Sequence, residues 1–291
     1  MDILVHPFLR IKGWGRVPLK ENNLKKARKI IEKYDIYKND PIQEIQLAHR
    51  IQLVEAFDMK EGMHVLEIGC GQGDTTVVLA DAVGESGKVT AIDIASKAYG
   101  APLTLEEATN RIMDTSLGDR ITFHFETDFL TFEEETVFDA VVLSHASWYF
   151  ENEQTLIDYI AKVKVIANQI CFAEWDLDYT RSGQRAHFLA ASLLALHSSQ
   201  IGNDGNIQCL FEKRQVREIL ENAGFQIMRE EVIDAAYLQD GGWEINEANN
   251  IRADFERKGD AYQSFIDVYY YLMNHQQERE SLDSFVICAK R

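Results

Sequence analysis

The run Val65-Leu66-Glu67-Ile68-Gly69-Cys70-Gly71-Gln72-Gly73-Asp74-Thr75-Thr76 constrains this chain more than any other segment. An apolar stretch ends in an acid, three glycines alternate, and polar residues then open a helix-like segment. That order describes a buried parallel strand, a tight turn and a helix N-terminus whose first N–H groups lack intrahelical partners. Glycine has no Cβ, so the backbone of such a turn can approach a ligand closely. A strand, turn and helix of this kind belong to a doubly wound α/β sheet, which binds nucleotide-type ligands at the carboxyl ends of its strands.

The spacing narrows the ligand. A dinucleotide fingerprint is G-x-G-x-x-G, whereas here the pattern is G-x-G-x-G and Asp74 stands where the third glycine would be. No lysine follows Gly73, so the phosphate loop G-x-x-x-x-G-K-[ST] is absent too. A pyrophosphate beside Glu67 and Asp74 would meet negative charge without a cation in the loop. S-adenosylmethionine fits better, because it carries no phosphate and its ammonium and sulfonium are positive. Glu67, Gly69, Gly71, Gly73 and Thr75 are the candidate contacts of the turn. A second apolar run, Val89-Thr90-Ala91-Ile92-Asp93-Ile94, ends in a carboxylate about 20 residues on, the separation of ribose-binding acids in such folds. Asp93, with Ile94 beside it, is therefore a ribose contact or else a solvated acid at a strand end.

The rest of the chain reads as alternating strands and helices. Strand-like runs fall at 64–68, 89–92, 121–125, 137–143, 165–173, 225–233 and 284–289, with helix-like runs at 75–83, 105–115, 153–163 and 213–223. Such alternation predicts a mostly parallel sheet with helices on both faces. Before it, 1–60 reads as an N-terminal helical segment, helix-like after Pro41, leading into a core that spans 61–291. Two insertions, 176–211 and 234–283, exceed what a sheet needs and contain helix-like runs at 184–199 and 244–273. Long insertions in a compact domain commonly serve as lids, and the apolar and aromatic content of these two argues for folded structure. Together with the N-terminal segment they predict a cap over an enclosed small-molecule acceptor; an oligomer interface is the other reading.

Charge and composition exclude some partners. The net charge of −17 opposes binding to a phosphate backbone, despite a locally basic stretch at Lys20, Lys25, Lys26, Arg28, Lys29 and Lys33. No apolar run reaches the roughly 20 residues of a membrane span, and Met1-Asp2-Ile3-Leu4-Val5-His6-Pro7 does not open a secretory signal. Cys70, Cys171, Cys209 and Cys288 are scattered, which suits free thiols of a cytoplasmic protein and gives no metal-ligand spacing.

Candidate chemistry clusters after the fourth and fifth strands. In Ser144-His145-Ala146-Ser147-Trp148-Tyr149-Phe150, His145 has an unperturbed pKa suited to a general base, or else it shapes the pocket as a strand-end histidine. Trp148 and Tyr149 wall an acceptor or pack in the core. Phe172-Ala173-Glu174-Trp175-Asp176 places Glu174 at the same edge, as a base, a binder of a cationic acceptor, a partner of His145 or a solvated acid. Trp175 adds a further wall, and His187 is either a substrate contact or a surface or core histidine.

The segment E-I-G-C-G-Q-G resembles motif I of the class I S-adenosylmethionine-dependent methyltransferases, and the resemblance covers the core from about Glu61 to Ala173. It implies a Rossmann-like sheet of seven strands whose last strand is antiparallel, S-adenosylmethionine as cofactor, and Asp93 on the ribose. In Glu126-Thr127-Asp128-Phe129 it implies Asp128 against the adenine amino group, with Phe129 stacking on the ring; T-D replaces the family's usual G-D. It places Ser144 and its neighbours beside the transferred methyl. The N/D-P-P-Y motif of methyltransferases acting on nucleic-acid and glutamine amino groups is missing. The segments Y-G-A-P-L-T, S-H-A-S-W-Y-F and A-E-W look like a bacterial group labelled similar to cyclopropane-fatty-acid synthases. The expected activity is methyl transfer to a small-molecule acceptor. Methylene transfer to lipid and non-catalytic S-adenosylmethionine binding are the alternatives, and homo-oligomerisation is left open.

Overall fold

The computed structural model describes residues 21–133, 137–201, 207–256 and 262–291. Lys20, the start of the N-terminal segment and parts of both insertions lie outside the described residues.

Two helices precede the sheet: α1 (Glu21–Tyr34) and α2 (Pro41–Phe57). Asp40 starts α2 by accepting hydrogen bonds from the Ile42 and Gln43 N–H groups, with Pro41 in the first turn, where its missing N–H costs nothing. The alternating core follows as β1 (His64–Ile68), α3 (Asp74–Val83), β2 (Lys88–Ile92), α4 (Leu105–Met113), β3 (Ile121–His124), β4 (Phe138–Ser144), α5 (Glu153–Ile166) and β5 (Ala167–Trp175). α6 (Arg185–Ile201) lies in the first insertion; α7 (Lys213–Asn222) and β6 (Gln226–Ile233) come next. The second insertion holds α8 (Asp240–Asn250), α9 (Arg252–Glu256) and α10 (Gln263–Asn274), ahead of β7 (Ser284–Lys290). The helix-like run 244–273 is thus three helices.

The seven strands form one sheet in the order β3-β2-β1-β4-β5-β7-β6, parallel except for β7, which is antiparallel to both neighbours. This is the seven-stranded, doubly wound Rossmann-like sheet that the alternation and the resemblance predict. Successive strand residues point to opposite faces. Val65, Val89, Ala140, Val142, Ala173 and Val286 pack with α1, α2 and α3, whereas Leu66, Val141, Leu143, Ile170, Phe172 and Ile287 pack with α5 and α7. The second of these cores continues into α6, α8 and α10, so both insertions are joined to the main core rather than hung from it. α2 is a layer on the sheet, and one stripe of it also reaches the functional edge. The strand order reverses between β1 and β4, and the crevice at that switch point is where such sheets hold ligands.

Candidate active site

The glycine turn closes directly against the segment that follows β4. The Gly69 and Cys70 N–H groups both donate to the Ile92 carbonyl, which ties the turn to the end of β2. Asp93 completes the tie: one carboxylate oxygen accepts the Gly71 N–H and the other the Ala95 N–H, each at 2.8 Å. Gly73 precedes the first turn of α3, and Thr75 lies buried behind it. Ile94, in contrast, is 70% exposed, and Tyr99 in the following link is exposed too.

Glu67, the penultimate residue of β1, is almost fully buried, with the Thr76 hydroxyl donating to it at 2.5 Å. Burial pushes its carboxyl up to about 8, against the Thr76 bond and the positive charge of Arg50. The folded protein therefore holds this proton more firmly than the unfolded chain, whose carboxyl titrates near 4.5. Glu67 thus favours the folded state most at low pH, and that contribution is lost as pH rises towards about 8. Glu67→Gln keeps an acceptor for Thr76 and removes the titration. Its expected result is a higher Tm than wild type near pH 8 and little difference near pH 5. Thermal unfolding across that range checks this, and parallel pH profiles for the two proteins would refute it.

Beyond the turn lies a cavity of about 130 Å³ lined by Arg50, His145, Trp148, Tyr149, Glu174, Trp175, Ile207, Asp240 and Glu244. His145, Trp148, Tyr149, Glu174 and Trp175 are brought together there. His145 has a left-handed backbone (φ 51°), uncommon for a side chain of this size, and its N–H donates to the Ala173 carbonyl. An Arg50 guanidinium nitrogen lies 3.2 Å from His145 Nδ1, which makes Nδ1 an acceptor and leaves the proton on Nε2. Nε2 in turn lies 2.9 Å from the Ser284 hydroxyl, which also contacts His49 Nε2 at 3.0 Å. Desolvation and the Arg50 charge hold both His145 and His49 well below the ordinary histidine range, so both are neutral.

Glu174 is 1% exposed yet lines the cavity. It is met by neutral donors alone: the Ser147 N–H at 3.2 Å, the Ser147 hydroxyl at 2.8 Å and the Trp175 N–H at 3.0 Å. Burial raises its carboxyl to about 7, these hydrogen bonds pull it down, and the charge of Glu244 raises it further. Such a group exchanges a proton near neutrality, which is what general acid–base catalysis requires. Trp175 stands edge-on between His145 and His187. His187 is wholly buried; its Nδ1 accepts the Leu282 N–H at 2.8 Å, so Nε2 carries the proton and faces Glu244 at 2.6 Å.

Two adenine-side candidates are placed differently. Asp128 is partly exposed, accepts the Leu130 N–H and lies 3.5 Å from the Tyr159 hydroxyl. Phe129 is 1% exposed, packed edge-on to Tyr159 with the Lys162 ammonium over its ring, which leaves no open face for a stacked base. Ser144 is partly buried, 3.3 Å from His145 Nδ1.

Sequence reasoning passes over Arg50, Asp240 and Glu244. The first had a signal: Gln46, His49 and Arg50 form a polar stripe at helical spacing along α2. Gln46 donates to Asp240 at 2.8 Å, joining that stripe to α8. Asp240 and Glu244, one turn apart, had no signal, because their direction depends on how the second insertion packs.

A matching family model, that of protein-L-isoaspartate(D-aspartate) O-methyltransferase, covers residues 33–161. The chain is 31% identical over 160 residues to methyltransferase phomM of Diaporthe leptostromiformis, a match covering 47% of this chain and 41% of that protein, so it spans under half the length of that relative. A probable cobalt-precorrin-6B C(15)-methyltransferase (decarboxylating) of Thermoplasma acidophilum is 29% identical over 134 residues, covering 44% of this chain and 63% of that protein. Among solved structures, a cyclopropane-fatty-acyl-phospholipid synthase-like protein from Lactobacillus casei is 32% identical, with a TM-score of 0.82 over 92% of this chain and 99% of that one. Magnesium protoporphyrin IX methyltransferase of Synechocystis with bound SAH shares the fold at a TM-score of 0.51 and 14% identity, covering 93% and 94% of the two chains. The chain belongs to the class I S-adenosylmethionine-dependent methyltransferases.

S-adenosylmethionine is accordingly the cofactor, and the residues present suit it. Open space faces Gly71, where a Cβ would meet nothing within 4 Å. Asp93 keeps acceptor capacity beyond its two backbone bonds. The acids Asp74 and Asp93 around the turn suit a ligand bearing a sulfonium and an ammonium, whereas Glu67, buried and holding its proton, lies behind them.

Proposed function

We propose that this protein transfers a methyl group from S-adenosylmethionine to a small acceptor held in the cavity beside the glycine turn, with Glu174 as the general base. The observation that carries this reading is the cavity itself: about 130 Å³, partly enclosed, charged, and continuous with the segment that packs on Gly69. S-adenosylmethionine supplies an electrophilic methyl on a positive sulfur, so positioning of the acceptor can supply much of the rate. Asp93 and the turn N–H groups hold the nucleoside, Asp128 stands on the adenine side, and Arg50 meets the cofactor's carboxylate. Glu174 takes a proton from the acceptor where it has one to lose. His145 acts as a positioning residue, because its Nδ1 lone pair is already engaged by Arg50. Trp148, Tyr149 and Trp175 wall the acceptor, α6 and α8 cap it, and His187 orients Glu244.

A site of this size with three carboxylates suits a small polar acceptor better than the acyl chain that lipid methylene transfer would require. The net charge of −17 speaks against nucleic acid as acceptor. No helix among the described residues is long and apolar enough to cross a membrane. All four cysteines are free thiols, which suits the reducing cytoplasm.

Calorimetric titration with S-adenosylmethionine, S-adenosylhomocysteine and NAD tests the reading. Binding of the first two and not of NAD is the expected result; binding of NAD alone would overturn it. With an acceptor in hand, Glu174→Gln is expected to lower kcat by roughly 10²-fold or more while sparing cofactor affinity. A fully active variant would remove Glu174 as base.

A further inference from the structure

The charges that line the cavity do not balance, and the imbalance identifies the acceptor. Arg50 is the only cation among the lining residues, against the carboxylates of Glu174, Asp240 and Glu244. Desolvation keeps His145 and His49 neutral, so neither supplies a second positive charge. His187 accepts the Leu282 N–H at Nδ1 and places Nε2 2.6 Å from Glu244, outside the cavity lining. Among the described residues, Asp240 receives an amide N–H from Gln46 and no other donor, and Glu174 only N–H and hydroxyl donors. Arg50 acts on Glu67 and Asp74 at the cofactor turn, whereas Glu174 and Glu244 raise one another's negative potential on the far side. Lining groups of three negative charges and one positive sum to −2 when all are ionised. Bound S-adenosylmethionine, with sulfonium, ammonium and carboxylate, brings +1, which the acids of the glycine turn share. Net negative charge therefore remains in a partly enclosed space, where an unpaired charge is expensive.

We infer that the acceptor is a small amine, bound as its ammonium between Glu174 and Glu244 and walled by the Trp148 and Trp175 rings. Aromatic faces beside carboxylates form a favoured setting for a cation. A polar end of the same molecule has a donor waiting, since the Trp148 indole Nε1 is buried without a hydrogen-bond partner among the described residues. This inference rests on the methyl-transfer reading and adds the acceptor class to it. The ammonium gives one proton to the Glu174 carboxylate, which frees the nitrogen lone pair. The N–C bond then forms as the C–S bond breaks, its electron pair staying on sulfur, to leave a methylated ammonium and S-adenosylhomocysteine. Glu174 afterwards returns its proton to solvent.

The test uses tryptophan fluorescence of the protein loaded with S-adenosylhomocysteine, titrated with n-propylammonium, propionate and 1-propanol. Saturable quenching by n-propylammonium is expected at concentrations about tenfold below those for either isostere. Glu244→Gln, which keeps the side chain's size and removes its charge, is expected to abolish that preference without changing S-adenosylhomocysteine affinity. Equal or tighter binding of propionate overturns the amine assignment, as does silence from all three probes in protein that still binds S-adenosylhomocysteine; methyl transfer as such would then stand. Failure to bind S-adenosylhomocysteine would instead remove the methyl-transfer reading.

Discussion

Gly71→Ala is expected to weaken cofactor binding by at least about tenfold while leaving the fold nearly intact, and Gly69→Ala to damage the fold first. Both glycines have left-handed backbones, at φ +51° and +75°, so either substitution carries the strain of an L-residue there, about 1–2 kcal/mol. Their surroundings then separate them. A Cβ at Gly71 meets no protein atom within 4 Å and points into space assigned to the cofactor. A Cβ at Gly69 falls 2.5 Å from the Ala146 Cβ, which no side-chain rotation can relieve because both are first atoms on the backbone. Forcing them apart pushes the turn away from the segment carrying His145, at a further cost of roughly 1–3 kcal/mol. Calorimetry with S-adenosylhomocysteine beside thermal unfolding distinguishes the two. Gly71→Ala should lose at least about tenfold in affinity with a Tm within a few degrees of wild type. Unchanged affinity in Gly71→Ala would mean that the space over this glycine is not the cofactor's.

That contrast also shows which parts of the site are legible in sequence. β1 falls at 64–68 as the largely apolar run predicts, because a strand buried on both faces is nearly continuously apolar and the glycine turn ends it abruptly. The glycines, Asp93 and Glu174 follow from the same logic, since each stands at a strand end whose direction the parallel sheet dictates. The burial of Glu174 does not follow. Only the packing of Ser147 and Trp175 around its carboxylate makes it an enclosed acid rather than a solvated one. Phe129 shows the limit from the other side. An aromatic after a strand is equally suited to a ligand and to a core, and Tyr159 on α5, thirty residues on in the chain, decides for the core. Asp240 and Glu244 are less legible still. Their helical spacing puts them on one face, but which face turns to the cavity depends on how α8 lies against α6, and periodicity carries no such information. The run 244–273 reads as helical, yet the chain breaks near Ile251 between α8 and α9, and α10 is a separate helix from Gln263.

Asp93→Ala is expected to weaken S-adenosylhomocysteine binding by roughly 10²-fold or more, through two losses that a single titration would merge. One is the charge-assisted contact with the ribose hydroxyls. The other is the support of the turn, because the same carboxylate accepts the Gly71 N–H at 2.8 Å and the Ala95 N–H at 2.8 Å. Comparing adenosine with 2′,3′-dideoxyadenosine separates them, since the two differ only in the hydroxyls that a ribose acid would hold. Wild type should prefer adenosine by about tenfold or more, as expected for hydrogen bonds to a charged group. Asp93→Ala should bind both weakly and nearly equally, so that the coupling between residue and hydroxyls appears as a non-additive term in the cycle. Asp93→Asn sharpens the comparison. Its amide turns an NH2 towards one of the two backbone N–H donors, leaving that pair without an acceptor, so it should lose turn support while keeping one oxygen for the ribose. If Asp93→Ala retained the full preference for adenosine, Asp93 would be a support for the turn alone, and the ribose would be held by another residue at the lip of β2.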